Sequence, residues 1–230
     1  SSVGVRDVLR ALGPRRPDWV LATEPTELRV VHRHKGVVHA RLVASGRACH
    51  ASEPEGGVNA IVALARATVA LDDLGRRLAT RADPVLGPPT LSVGRVEGGQ
   101  APNIVPDHAE LIADRRILPD ECAADVEAEL FAALASAGVS EHVRIAACRL
   151  EKPALGTPAD HPAVQACLTA LRAIERPGEI AGVAFGTDAG VFEAEGGVPG
   201  VVMGPGSIRR AHTAREYVEL CLLYTSPSPR

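Results

Sequence analysis

The stretch GPGSIRRAHTAREYV, residues 204–218, sets a rigid Gly204-Pro205-Gly206 turn shortly before a single histidine, His212. A neutral imidazole is a common zinc ligand. Carboxylates that could share a metal with it occur in DWVLATEPTEL, as Glu24, and in FGTDAG, as Asp188. The short-range zinc spacings are absent, so spacing alone does not show that these three side chains converge. Asp188 fits equally well as an N-cap or first-turn acid of a helix that starts near Thr187, where the helix dipole favours negative charge. The cysteines Cys49, Cys122, Cys148, Cys167 and Cys221 are odd in number and far apart. They make neither a disulfide framework nor a cysteine-only zinc site, and they read as small apolar residues in a reducing cytoplasm.

These residues need elements to hold them. Trp19, Val20 and Leu21 lead into the polar turn Thr23-Glu24-Pro25, the pattern of a short buried strand with Glu24 at its end, where chemistry often sits in α/β folds. Residues 30–44 alternate and are rich in β-formers; the loop GRACHASEPEGGV and the helical pattern NAIVALARATVALDDLGRRL follow. TLSVGRVEGG and HAELIADRRI read as strands around the loop QAPNIVPD, then ECAADVEAELFAALASAG as a helix and HVRIAACRL as a strand. This β-α-β-β-α-β order between Val30 and Leu150 predicts a ferredoxin-like sandwich. Beyond it, HPAVQACLTALRAI predicts a helix with Pro162 in its first turn, and residues 178–207 alternate short strands with a helix, as at the end of an α/β sheet domain. On the alternating run, His32, His34 and His39 read as structural or solvent-facing.

The chain has 230 residues, 46% of them hydrophobic, enough for a proper core. Its formal net charge is −3 and its lysines and arginines are scattered, which argues against a nucleic-acid partner. No apolar run approaches the ~20 residues of a membrane-spanning helix, and SSVGVRDVLRALG lacks the apolar core of a signal peptide. The chain begins without methionine inside a helical pattern, so an N-terminal truncation is expected, while the last residues, YTSPSPR, read as disordered or foreign to the fold.

In order, TEPTELRVVHRHKG, GRACHASEPEGGVNAI, EGGQAPNIVPDHAELIADRRILP, GTDAGVF and GPGSIRRAHTAREYV resemble the dizinc deacylases and peptidases that include acetylornithine deacetylase, succinyl-diaminopimelate desuccinylase, aminoacylase and glutamate carboxypeptidase. The resemblance covers nearly the whole chain. It implies an α/β zinc-peptidase-like catalytic domain in two parts, residues 1–29 and 153–223, interrupted by a ferredoxin-like lid or dimerisation domain, residues 30–152, and followed by the tail 224–230. It also implies two zinc ions per complete subunit, with cobalt as a substitute, a homodimer formed through the lid, and an N-acyl amino acid or small peptide as substrate. Glu24 and His212 match ligands of the two metals. His50 matches a lid histidine that stabilises the oxyanion in the partner subunit's site. Asn103 and Arg116 match lid residues that hold the substrate, and Thr187 and Asp188 match a substrate-side turn. By residue type alone, Asn103 fits a turn before Pro106, Arg116 a strand-surface charge and His50 an exposed loop.

The H-x-D motif and Glu-Glu pair expected upstream of Glu24 are not in this sequence, so a complete dinuclear centre is not expected from this chain alone. HKG and GPGSIRRAH look most like the acetylornithine deacetylase branch. The alternatives are a desuccinylase or dipeptidase with the same site and, from another class, a non-catalytic dimerisation or small-molecule-binding module, since the ferredoxin-like sandwich hosts many functions.

Overall fold

A computed structural model describes residues 3–211 and 213–224. These form two compact units: Ser1–Gly36, Pro84–Leu86 and Lys152–Arg230 make unit 1, and Val37–Asp83 with Gly87–Glu151 make unit 2.

Unit 1 contains α1 (Val3–Leu12), β1 (Val20–Ala22) and β2 (Val30–His34) before the chain enters unit 2. Unit 2 then runs β3 (Gly36–Ser45), β4 (Cys49–His50), α2 (Ala60–Leu78), β5 (Thr90–Gly98), β6 (Ile104–Val105), β7 (His108–Ile117), α3 (Ala123–Ser136) and β8 (Val143–Lys152). On returning, unit 1 adds β9 (Leu155–Gly156), α4 (Pro162–Ala173), β10 (Ile180–Val183), α5 (Asp188–Gly196), β11 (Gly200–Val202) and α6 (Leu220–Tyr224).

The unit 1 sheet has the order β1-β11-β2-β10, with β9 also paired to β2. β1 lies parallel to β11 and β10 parallel to β2, whereas β2 meets β11 and β9 antiparallel. Adjacent strand residues point to opposite faces. Val30, Val201 and Met203 pack with Leu168 and Leu171 of α4, while Val31 and Val202 pack with Ala189 of α5. A sheet covered on both faces needs such unbroken apolar runs. Helix starts follow local chemistry: His161 caps α4 from its ring, with Pro162 next, and Thr187 caps α5 by accepting the Ala189 N–H.

Unit 2 is a four-stranded sheet of order β5-β7-β3-β8 with α2 and α3 on one face, the arrangement of a ferredoxin-like sandwich. Even-numbered positions of β3 (Val38, Ala40, Leu42, Ala44) and odd ones of β7 (Ala109, Leu111, Ala113) enter the core with Leu64, Leu71 and Leu130 of the helices. Burial of each such leucine contributes roughly 1.5–3 kcal/mol before entropy is counted. The alternating run read as one strand over 30–44 is divided at Lys35: its first part pairs in the unit 1 sheet and its second in the unit 2 sheet. Two-residue periodicity continues across such a break, and so conceals it. No helix among the described residues is long and apolar enough to cross a membrane.

Candidate active site

In unit 1, β1 and β11 end side by side, with Ala22 opposite Val202, and the segments carrying Glu24 and the Gly-Pro-Gly turn leave from those two ends. Hydrogen bonds clamp them together. Thr26 and Leu28 both donate their N–H to the Gly204 carbonyl, at 3.2 and 3.1 Å, and Glu27 donates to the Gly206 carbonyl at 2.8 Å. The buried Thr26 hydroxyl accepts from the Gly204 N–H at 3.2 Å and donates to the Arg29 carbonyl at 2.8 Å. Glu27 and Leu28 both take left-handed backbone conformations, φ 59° and 63°, which L-residues adopt only where the surroundings over-determine them. Gly204 is required by close approach: a Cβ there would lie 2.7 Å from the Glu24 carbonyl oxygen. The half-buried Glu24 is therefore packed against the start of the segment that leads to His212. His212 itself lies outside the described residues.

Thr187 and Asp188 open α5. The Thr187 side chain is buried and occupied: its backbone N–H and its hydroxyl both meet Nε2 of His34, at 3.2 and 3.0 Å. An N–H can only donate, so Nε2 is the acceptor and the proton of the neutral ring sits on Nδ1, which donates to the Lys35 carbonyl at 3.0 Å. Burial is the main cause that pushes His34 down to about 4, with Lys152 adding to it against a raising backbone hydrogen bond. Asp188 is half-exposed and pairs with Lys152 Nζ at 3.7 Å. His34 stood in the sequence as a structural or solvent-facing histidine. Its hold on Thr187 is a contact across the fold that no local pattern announces.

In unit 2, two segments read as loops, GRACHASEPEGGV and QAPNIVPD, pair as the short ribbon β4–β6, with Cys49 opposite Val105 and His50 opposite Ile104. Asn103 extends the ribbon by accepting the Ala51 N–H on its backbone carbonyl at 3.0 Å. His50 and Asn103 are thus neighbours, and both are exposed. His50 Nδ1 accepts the Ser52 N–H at 3.2 Å and lies 2.6 Å from the Ser52 hydroxyl, which leaves Nε2 as the protonated nitrogen of the neutral ring. That N–H holds no partner among the described residues and can donate to an oxygen that develops negative charge.

Arg116 lies at the other end of β7. It is eight residues beyond His108, about 27 Å at ~3.4 Å per residue. Its Nε and Nη2 grip Asp114 at 2.7 and 3.2 Å. Arg115 points the opposite way, 1% exposed, bonded to Glu121 and Glu129 at 2.7 and 3.1 Å. Unit 2 therefore brings His50 and Asn103 together, while Arg116, near the C-terminal end of β7, is paired with Asp114.

Among the described residues no group of three or more His, Cys, Asp or Glu side chains could hold a metal ion.

Residues 32–142 match the peptidase dimerisation domain of the M20 family. Acetylornithine deacetylase of Proteus mirabilis is 33% identical over 214 residues, which cover 90% of this chain and 53% of that enzyme, so the chain spans about half the length of this curated relative. Among solved structures, the aminopeptidase PepT of Bacillus cereus superposes with a TM-score of 0.78 at 25% identity, covering 98% of this chain and 59% of the other. The YxeP protein of Bacillus subtilis, a dinuclear metal-binding peptidase of the M20 family, superposes with a TM-score of 0.69 at 15% identity, covering 98% and 59%. The dimerisation-domain match over unit 2, the deacetylase likeness along nine-tenths of the chain and the shared fold agree: the chain belongs to the M20 family of metallopeptidases and deacylases.

Proposed function

We propose that the protein carrying this chain is a metal-dependent amidohydrolase that removes the acyl group from an N-acyl amino acid, of the acetylornithine deacetylase kind. The observation that carries this reading is the clamp of residues 26–28 onto Gly204 and Gly206, which sets Glu24 against the start of the His212 segment at the ends of two parallel strands. The 33% identity to a deacetylase over most of the chain supports that substrate class.

The metal would be zinc, or cobalt, with two ions per complete subunit; Glu24 would bind one and His212 the other. The described residues do not fit a complete metal centre, since Glu24 is one carboxylate where three or four donors are needed.

What this chain supplies to the reaction is recognition of charge. When the acyl carbonyl becomes tetrahedral, its oxygen turns anionic, and the His50 Nε2–H, fixed by Ser52, is a donor for it; loss of one such donor typically costs about 100-fold or more in turnover. Asn103, beside His50, holds the substrate. Arg116 takes a substrate carboxylate in a bidentate grip. In a homodimer formed through unit 2, His50 serves the partner subunit's site.

The test is His212→Ala in the full-length protein, with metal content and turnover measured on a panel of N-acetyl amino acids, N-succinyl amino acids and dipeptides. One metal ion and nearly all turnover should be lost, with N-acetyl amino acids the preferred substrates before substitution. Unchanged metal content would refute the ligand assignment, and preference for dipeptides would move the protein to the peptidase side of its family.

A further inference from the structure

The face of the unit 2 sheet turned away from α2 and α3 carries a set of charged side chains centred on Asp114. Because the even positions of β3 and the odd positions of β7 are in the core, His39 and Arg41 of β3 and Glu110, Asp114 and Arg116 of β7 share the open face. Asp114 accepts from three nitrogens on that face. Arg116 Nε bonds Oδ1 at 2.7 Å, Arg116 Nη2 bonds Oδ2 at 3.2 Å, and His39 Nε2 meets Oδ2 at 3.2 Å from the neighbouring strand. His39 Nδ1 is 3.9 Å from Glu151 Oε1, so the ring is flanked by carboxylates on both sides. The second pair on the face, Arg41 with Glu110 at 2.8 Å, engages a single guanidinium nitrogen.

A guanidinium has two edges that match a carboxylate: the side edge of Nε and one Nη, and the end edge formed by the two Nη groups. Asp114 occupies the side edge of Arg116. The end edge has no partner among the described residues, on a side chain that is 34% exposed. An arginine alone on a strand surface would spread over many rotamers, and any ligand would have to order it. Gripped by an aspartate two residues away on the same face, it is confined to one plane before a ligand arrives, which is the condition for a bidentate bond to form without that ordering loss. The opposing charge of Asp114 lies beside the guanidinium, on the adjoining edge and farther from an end-on carboxylate than the guanidinium itself, so attraction to the cation dominates.

We propose that Asp114 is a positioning residue for Arg116: it leaves only the end edge of the guanidinium on offer, and that edge takes the α-carboxylate of the N-acyl amino acid. This rests on the reading of Arg116 given above. His39 braces Asp114 from the adjacent strand.

The experiment compares Asp114→Asn, Arg116→Ala and the double variant in the full-length protein, on an N-acetyl amino acid and on its carboxamide, which lacks the negative charge. Asp114→Asn should raise KM for the acid about tenfold while kcat falls less than about threefold, and should leave KM for the carboxamide unchanged. In the Arg116→Ala background it should add nothing further to KM. On this chain itself, the Arg116 Nε–H should exchange more slowly with solvent in the unmodified protein than in Asp114→Asn, read by 15N–1H correlation spectra. An equal KM effect on acid and carboxamide, an undiminished effect without Arg116, or equal exchange rates would overturn the proposal. If Arg116→Ala leaves KM for the acid unchanged, the substrate role of Arg116 falls as well; if it raises KM while Asp114→Asn does not, only the positioning role falls.

Discussion

At the scale of single residues, His34 has the most to lose from a change in conditions. It is fully buried, and both donors of Thr187 aim at its Nε2 lone pair. Protonation would remove that lone pair and set a charge in the interior, with Lys152 near enough to oppose it. Since the folded value of about 4 lies below the unfolded value of 6.5, the unfolded chain binds more protons between them. The stability this group contributes is complete above pH 6.5 and is lost as the pH falls towards 4, by on the order of 3 kcal/mol. Denaturant unfolding across that window should therefore show a steeper decline in the unmodified chain than in His34→Gln, whose amide oxygen can still accept from Thr187; parallel curves would exclude the mechanism. Residue roles were legible in the sequence only where strand parity decides them. Arg115 and Arg116 are adjacent and chemically identical, and the alternation of β7 sends the first to Glu121 and Glu129 beneath α3 and the second to the open face. The partner of a buried histidine, in contrast, is set by a contact 153 positions away, which no window on the chain contains.

At the scale of elements, the turn at Gly204 shows how backbone rather than side chains builds the unit 1 site. A methyl group at Gly204 would strike backbone atoms of Thr23 and Glu24, none of which can swing aside. Gly204→Ala should accordingly destabilise the chain by about 1–3 kcal/mol. Gly4, inside α1 with nothing within 4 Å of a would-be Cβ, provides the contrast: Gly4→Ala should stabilise by about 0.5–1 kcal/mol. Thermal unfolding of the two variants measures both signs, and a neutral Gly204→Ala would show that the clamp is not close-packed. The long helices were readable because their apolar positions recur over several turns and their caps are local: Asn59 before α2, and Thr187 before α5. The ribbon of β4 and β6 was not readable. Each strand is two residues long, too short for a period to exist, and its formation depends on two segments separated by all of α2 and β5. The pairing that makes neighbours of His50 and Asn103 is for that reason visible only in three dimensions.

At the scale of the whole molecule, the proposed service of His50 to the partner subunit's site predicts complementation. A His50→Ala subunit keeps its own metal ligands, and a His212→Ala subunit keeps its own His50. Mixed under conditions of subunit exchange, these two inactive proteins should regain activity at roughly a quarter of all sites, the share that random pairing gives for one intact site per heterodimer. Exchange demonstrated by mass spectrometry without any returning activity would place His50 within its own subunit's chemistry or outside the reaction. The α/β fold with its ferredoxin-like sandwich followed in the sequence from the order of periodic segments. The excursion of Pro84–Leu86 into unit 1, where Val85 and Leu86 pack on Gly182, has no such signature in three residues.

The antiparallel pairing of β2 with β9, His34 opposite Leu155 and Arg33 opposite Gly156, has a consequence for how the chain acquires its structure. Those strands are the last residues before unit 2 and nearly the first after it, so unit 2, with the Pro84–Leu86 excursion within it, is a loop of roughly 115 residues whose two ends are joined by that strand pair. Closing so long a loop in a disordered chain costs about 4 kcal/mol in chain entropy, in addition to a constant. If unit 2 condenses on its own hydrophobic core first, its two ends are no longer joined by a free coil, and the nucleation of the unit 1 sheet becomes a nearly local event.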